Sequence, residues 1–343
     1  MSGYDYHSGI GAAAWAEVLR LLRDREVSGL KGTPRMKIIN GRGYWYDHYR
    51  IGSETVDRYI GEDGAELRSR LDRYGEMRAR DQRSARERAR LMRVLQAEGY
   101  LMSDVGTGQI VSAMARAGVF RLGGTLVGTQ AFRAYEGLLG VRIGFDQSAM
   151  TDDIDVASFE RLSLVLDDRL DEPLAGVFSD LKFEPLPSVD RDGRVWRWRQ
   201  TDRQTLVEFL TPSFSEEEGV RELAALGVSA QSLHFLNYLI AEPVQVPFLY
   251  RSGVLVQVPR PERYAIHKLI VADRRRDGPD ALKSRKDRAQ AAFLIGVLAG
   301  ERPEDLVEAW EEARGRGAAW RARIAASLRR MPETREVLRQ VVG

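Results

Sequence analysis

The chain has 343 residues, 43% hydrophobic and 30% charged, proportions that exclude wholesale disorder and leave room for about two or three domains. Net charge is only +2 with Arg in large excess over Lys, so nucleic-acid contact is permitted but depends on where the charges cluster. Cysteine is absent, which excludes disulfides, thiolate nucleophiles and Cys-based zinc sites. His7, His48, His234 and His267 are scattered without metal-ligand spacing. The sequence does not open on a basic segment followed by an apolar run, and it has no apolar stretch of about 18 residues. A cytoplasmic protein without a membrane partner is expected.

In chain order, residues 11–25 repeat apolar positions at helical spacing and predict a short amphipathic helix. MKIIN, GYWYDHYRI and ETVDRYIG, punctuated by Gly41, Gly43 and Gly52, predict a small antiparallel sheet. Tyr44, Trp45, Tyr46 and Tyr49 on it suit core packing better than base stacking. A long helix rich in mixed charge follows from about Ala65 to Glu98, as a solvated, salt-bridged face or a surface for RNA.

Composition changes near Ser103. Residues 109–117 predict a helix, VFRLGGTLVG a strand, and QAFRAYEGLLG a helix closed by Gly140. TDDIDVAS and LSLVLDD alternate apolar and acidic residues, DLKFEPLPSV, VWRWRQ and TLVEFLTP are further strands, and Asp192 and Gly193 mark a hairpin turn. Trp196 and Trp198 favour packing over stacking. Beyond Pro212 the chain reads as mainly helical, interrupted by a hairpin turning at Arg251, Ser252 and Gly253. The expected organisation is residues 1–103 with the small sheet and charged helix, a mixed α/β core over 104–215, and a mainly helical domain over 216–343.

The sharpest chemical feature is Thr151-Asp152-Asp153-Ile154-Asp155-Val156. On a strand, residues two apart share a face, so Asp153 and Asp155 would present neighbouring carboxylates. Such a pair repels itself, and a divalent cation resolves the conflict: Mg²⁺ (or Mn²⁺) on one or two carboxylates plus substrate phosphates. Alone, the triplet fits a solvated edge strand at least as well. Upstream, Gly128 and Thr129 stand between a strand and a helix, where a Gly lets the backbone approach a phosphate beside the helix N-terminus; Thr129 equally suits a helix N-cap. Downstream, Glu208 is a lone acid in the apolar strand TLVEFLTP and needs a partner, an exposed face or a metal. Lys268 lies in an apolar helical segment, as a snorkelling surface Lys or a cation for phosphate. Asp287 is an ordinary surface acid or the group that holds Lys268 or an Arg. Arg121 and Arg133 flank the proposed phosphate loop but suit solvated surface, and His267 suits a structural role.

The order LVGTQAF, TDDIDVA, VEFLTP resembles the nucleotidyltransferase fold superfamily. Together with GYWYDHYRIG, DRYIG, PERYAIHKLIVADRRR and SRKDRAQA it resembles the bacterial nucleotidyltransferase-fold proteins of the GSU2403 type. More distantly, it is similar to AbiEii-type toxin nucleotidyltransferases, which have a D-I-D strand and a later Lys-bearing helix. Gly128-Thr129 departs from the commoner Gly-Ser or Gly-Gly, and Glu208 stands where Asp is more frequent. The resemblance implies an α+β fold with a polymerase β-like core and mixed sheet. It implies Mg²⁺-dependent transfer of NMP from an NTP to an acceptor hydroxyl on a protein, a tRNA or a small molecule. Asp153, Asp155 and Glu208 would be catalytic and metal-holding, Gly128 and Thr129 phosphate-binding, and Lys268 both catalytic and phosphate-binding. A toxin role with an antitoxin protein as partner is one expectation; a non-catalytic module contacting RNA or a protein partner is the alternative.

Overall fold

A computed structural model describes residues 3–23, 30, 32–39, 41–51, 54–144, 153–159, 170, 173–187, 193–215, 217–277 and 281–343. Asp152, the LSLVLDD segment and Asp192 lie outside the described residues. The N-terminal part runs α1 (Gly9–Arg23), β1 (Thr33–Ile39), β2 (Arg42–Ile51), β3 (Glu54–Glu62) and α2 (Ala65–Ala97). The core follows with α3 (Val105–Ala117), β4 (Thr125–Val127), α4 (Gly128–Leu139), β5 (Ile154–Ala157) and α5 (Leu174–Asp180). It continues with β6 (Phe183–Pro185), β7 (Arg197–Gln200), β8 (Leu206–Pro212), β9 (Val220–Leu223) and β10 (Val228–Leu233). The last part holds α6 (Leu236–Leu239), β11 (Val244–Phe248), β12 (Val254–Val258), α7 (Pro261–Arg274), α8 (Ala281–Glu301), α9 (Pro303–Gly315), α10 (Ala318–Leu328) and α11 (Pro332–Val342).

The first three strands form an antiparallel sheet in the order β1-β2-β3. No apolar side chain described in it is buried, so the expectation that its aromatics pack a core does not hold: Tyr44, Trp45, Tyr46 and Tyr49 are half-buried. The sheet is too small to enclose rings between two layers, and among its described side chains the buried one is Asp47, which accepts from the Gly32 N–H at 2.8 Å. Helix α2 is solvated along most of its length as its charges predict. Its last turns dock, with Leu91, Met92 and Leu95 in the core and the Arg88 guanidinium donating to the Ser252 carbonyl at 3.1 Å.

The mixed sheet follows the order β4-β5-β8-β10-β9. Strands β5, β8 and β10 run parallel, while β4 and β9 close the edges antiparallel; β7 pairs antiparallel with the start of β8 and carries β6. Alternation fixes its two faces. Ile154, Val156, Val207, Phe209 and Ala230 are buried, while Asp155 and Glu208, the intervening positions, keep partial exposure. Phe178 of α5 seals the buried side, with ring centroids 5.2 Å from Trp198 and 5.9 Å from Phe209. Trp198 therefore packs as expected.

Three expectations fail locally. Of VFRLGGTLVG only Thr125–Val127 is strand, because the chain turns through Gly118 and Gly123, both at positive φ. Among the described residues of DLKFEPLPSV only Phe183–Pro185 is strand. The segment after Pro212 holds β9 and β10, joined by a turn at Gly227 (φ +64°), before any helix of length appears. Its sequence, VRELAALGVSAQSL, carries good helix formers, and pairing with β8 overrides that local preference.

Beyond the sheet, α7 is wrapped by α8, α9 and α10 and buries Tyr264, Ile266, Leu269 and Ile270. The Tyr135 hydroxyl donates to the Pro259 carbonyl at 2.9 Å and ties α4 to the start of α7. Close approach of α1 to α4 needs Gly137, where an added Cβ would lie 2.0 Å from the Trp15 indole nitrogen. We expect Gly137→Ala to cost about 1–3 kcal/mol through overpacking, read as a lowered urea midpoint; an unchanged midpoint would refute that contact.

Candidate active site

Strand register assembles the site. In the antiparallel β4/β5 pair Val127 lies opposite Asp155, in the parallel β5/β8 pair Asp155 lies beside Glu208, and in the antiparallel β7/β8 pair Glu208 lies opposite Arg197. One row across the sheet thus places the end of β4, two acids and a guanidinium on neighbouring strands about 4.8 Å apart. Asp153 stands just before β5, close enough to add its charge to both acids.

The acids are electrostatically frustrated. Burial and then the neighbouring Asp155 push Glu208 from its usual 4.5 up to about 7, against the Arg197 guanidinium 3.9 Å away. Burial and then Asp153 also push Asp155 up, against the pull of Lys268 and Arg275. The charge of Asp155 thus favours a proton on Glu208.

Gly128 begins α4 directly against this pair. Its φ is +61°, and a Cβ there would lie 2.2 Å from a carboxylate oxygen of Asp155. Both constraints select glycine. The Tyr264 hydroxyl pins the turn by donating to the Gly128 carbonyl at 2.8 Å. Helix α4 starts two residues earlier than an N-capping Thr129 requires: the cap position is Val127. Thr129 sits inside the first turn instead, its hydroxyl 3.2 Å from the Lys286 ammonium.

The cations converge from α7 and α8. Lys268 is nearly buried, not a snorkelling surface Lys, and contacts Asp287 at 2.5 Å. Asp287, itself 3% exposed, also holds Arg275 at 3.0 Å, so it is no surface acid. Lys268 lies 5.2 Å from the Tyr264 ring centroid, one turn away on α7. Lys286 is half-buried, and burial and then Lys268 depress its ammonium, while Asp287, Asp153 and Asp155 oppose the shift. Lys286, Arg275 and Arg197 were not singled out from the sequence. The rarity of Lys that drew attention to Lys268 applies equally to Lys286, whereas Arg197 and Arg275 gave no signal among so many arginines.

Other candidates fall away from the site. Burial holds His267 neutral, its pKa pushed down to about 3. Arg133 is half-buried and donates to the Met102 carbonyl at 2.9 Å, so it is not solvated surface; Arg121 is exposed. Among the described residues no three His, Cys, Asp or Glu side chains form a preformed metal cage. Adjacent carboxyls whose proton affinities burial and neighbouring acids raise do fit Mg²⁺. That ion takes oxygen ligands from one or two carboxylates and completes its shell with waters and substrate phosphates.

The electrostatics give a pH signature. A raised Glu208 pKa means that the folded chain binds a proton the unfolded chain has released. Stability is therefore greatest below about pH 4.5 for this group and falls as pH rises through about 7. We expect the metal-free chain to melt at a lower temperature at pH 8 than at pH 6, with Glu208→Gln flattening that slope. A slope unchanged by Glu208→Gln would refute the raised proton affinity of Glu208.

A family model described as nucleotidyltransferase matches residues 106–315, the span from α3 to α9 that contains every group in the site. A second model, described as a domain of unknown function, matches residues 13–69. Neither the curated proteins nor the solved structures compared give a match to the chain. No helix among the described residues is long and apolar enough to cross a membrane.

Proposed function

Because the chain belongs to the nucleotidyltransferase family whose model spans residues 106–315, we propose that it transfers NMP from an NTP to an acceptor hydroxyl at the Asp155–Glu208 row, with Mg²⁺ held by Asp153 and Asp155. The observation that carries this reading is the pair of acids placed side by side in register against Gly128. A folded protein gains nothing from such a contact unless positive charge arrives.

Each residue then has a chemical task. Gly128 brings bare backbone to the mouth of α4, where unpaired N–H groups and the positive end of the helix dipole receive phosphate oxygens. Lys268, fixed by Asp287, and Lys286, resting on Thr129, neutralise the triphosphate. When bound, Mg²⁺ would neutralise charge on the phosphates and favour the ionised acids, with Glu208 completing its ligand set. We also assign to Glu208 the task of accepting the hydroxyl proton of the acceptor. The acceptor oxygen forms its bond to the α-phosphorus as the bond to the bridging oxygen breaks, and pyrophosphate leaves.

Incubation with labelled NTPs, Mg²⁺ and cell extract tests the reading. We expect Asp153→Asn and Asp155→Asn to abolish transfer while the fold persists by circular dichroism; retained transfer in both would overturn it. Lys286→Ala should raise the NTP KM about tenfold, the loss of one charged hydrogen bond, with a smaller effect on kcat.

A further inference from the structure

We propose that the β1-β2-β3 sheet is a docking platform for single-stranded nucleic acid, carried outside the catalytic body on α2. This goes beyond the catalytic reading and does not depend on it. Three observations lead to it: the isolation of the sheet, the sorting of its side chains, and their charge.

The sheet has no described apolar side chain in the core, and a three-stranded sheet without one is marginal on its own account. What holds it is α2. The Tyr74 hydroxyl donates to the Gly32 carbonyl at 2.8 Å, the Trp45 indole donates to Asp63 at 2.8 Å, and Arg68 pairs with Asp63 at the start of the helix. Among its described side chains the same helix enters the core only from Arg88 onward. At 1.5 Å per residue the sheet is held about 20 Å along the axis from that anchor. A strut of this length holding a sheet whose described side chains add no apolar group to the core points to a task on the sheet's own surface.

Cross-strand register sorts that surface. Arg35 lies opposite Tyr46 and Lys37 opposite Tyr44, so these four share one face, with Arg42 two residues before Tyr44 and Arg50 four residues after Tyr46 on β2. Asp47, Trp45 and Gly43 alternate onto the other face, where Asp63 lies against Gly43 and Trp45. On the first face Arg35, Lys37, Arg42 and Arg50 are exposed and the tyrosines half-buried. Among the described side chains its one acid is Asp57, which pairs with Lys37 at 2.7 Å and lies 2.6 Å from the His48 ring nitrogen.

The repeat is therefore tyrosine beside cation, twice, at a two-residue step of about 6.7 Å. Lys37 lies 4.7 Å from the Tyr46 ring centroid. Aromatics that accept bases, alternating with cations that accept phosphates, are the chemistry of single-stranded nucleic-acid binding. A duplex hides its base faces and would use the cations alone.

Fluorescence anisotropy with the full chain tests this, without NTP or Mg²⁺. The probe is a labelled 12-nucleotide oligomer of adenosine and cytidine, compared with a 12-base-pair duplex. We expect tighter binding of the single strand and at least about fivefold weakening in Tyr44→Leu or Tyr46→Leu, with the salt dependence retained. Arg35→Glu with Arg50→Glu should weaken binding further and flatten the salt dependence, while Arg35→Lys with Arg50→Lys should keep it. Circular dichroism and the melting midpoint confirm folding in each variant. Preference for the duplex, equal binding of heparin, or no effect of the tyrosine substitutions in folded protein would each overturn the proposal. Because nothing in the assay turns over, a loss of binding and a loss of nucleotidyl transfer are separately readable.

Discussion

The contact between Asp155 and Glu208 organises the site. Parallel pairing of β5 and β8 sets the two residues side by side, and no side-chain rotation removes them from a common face, because strand alternation would send any other choice into the core with Val156 and Phe209. The buried face of the sheet therefore enforces an unfavourable meeting of acids on its open face. Core packing of Phe178, Trp198 and Phe209 supplies the stability that this frustration consumes.

The cations are placed by a different mechanism. Lys268 and Arg275 come from α7, and Lys286 and Asp287 from α8, so their positions depend on helix packing, not on strand register. Asp287 is the joint: nearly buried, it holds Lys268 and Arg275 at once. Tyr264 links the two systems, since its hydroxyl lies within hydrogen-bonding distance of both the Gly128 carbonyl and the Gln290 side chain of α8. A shift of α7 would disturb the glycine turn and the cations together.

The acids were legible because the triplet Asp153-Ile154-Asp155 and the lone Glu208 interrupt apolar strands, where an uncompensated acid is costly. Glycine 128 was legible for its place between strand and helix, though the close approach of Asp155 to its α-carbon was not. Lys286 escaped notice in the charged run SRKDR, where burial alone distinguishes it from its neighbours. The N-terminal aromatics misled in the opposite direction. Their alternation correctly gives strands but does not reveal whether a second layer covers them, and the described residues bring none of them into the core.

By itself the sequence determined which segments pair and coil locally: α1, the three N-terminal strands, the long α2, the helix closed by Gly140, and the acid-bearing strands. Periodicity and turn residues act over a few positions, and a single sequence displays them fully. Tertiary structure alone decided that β9 and β10 are strands, that Asp155 meets Glu208 and not merely Asp153, that Arg197 faces them, and that Lys286 reaches Thr129. Those outcomes rest on register and on packing between residues far apart in the chain, which no local pattern encodes.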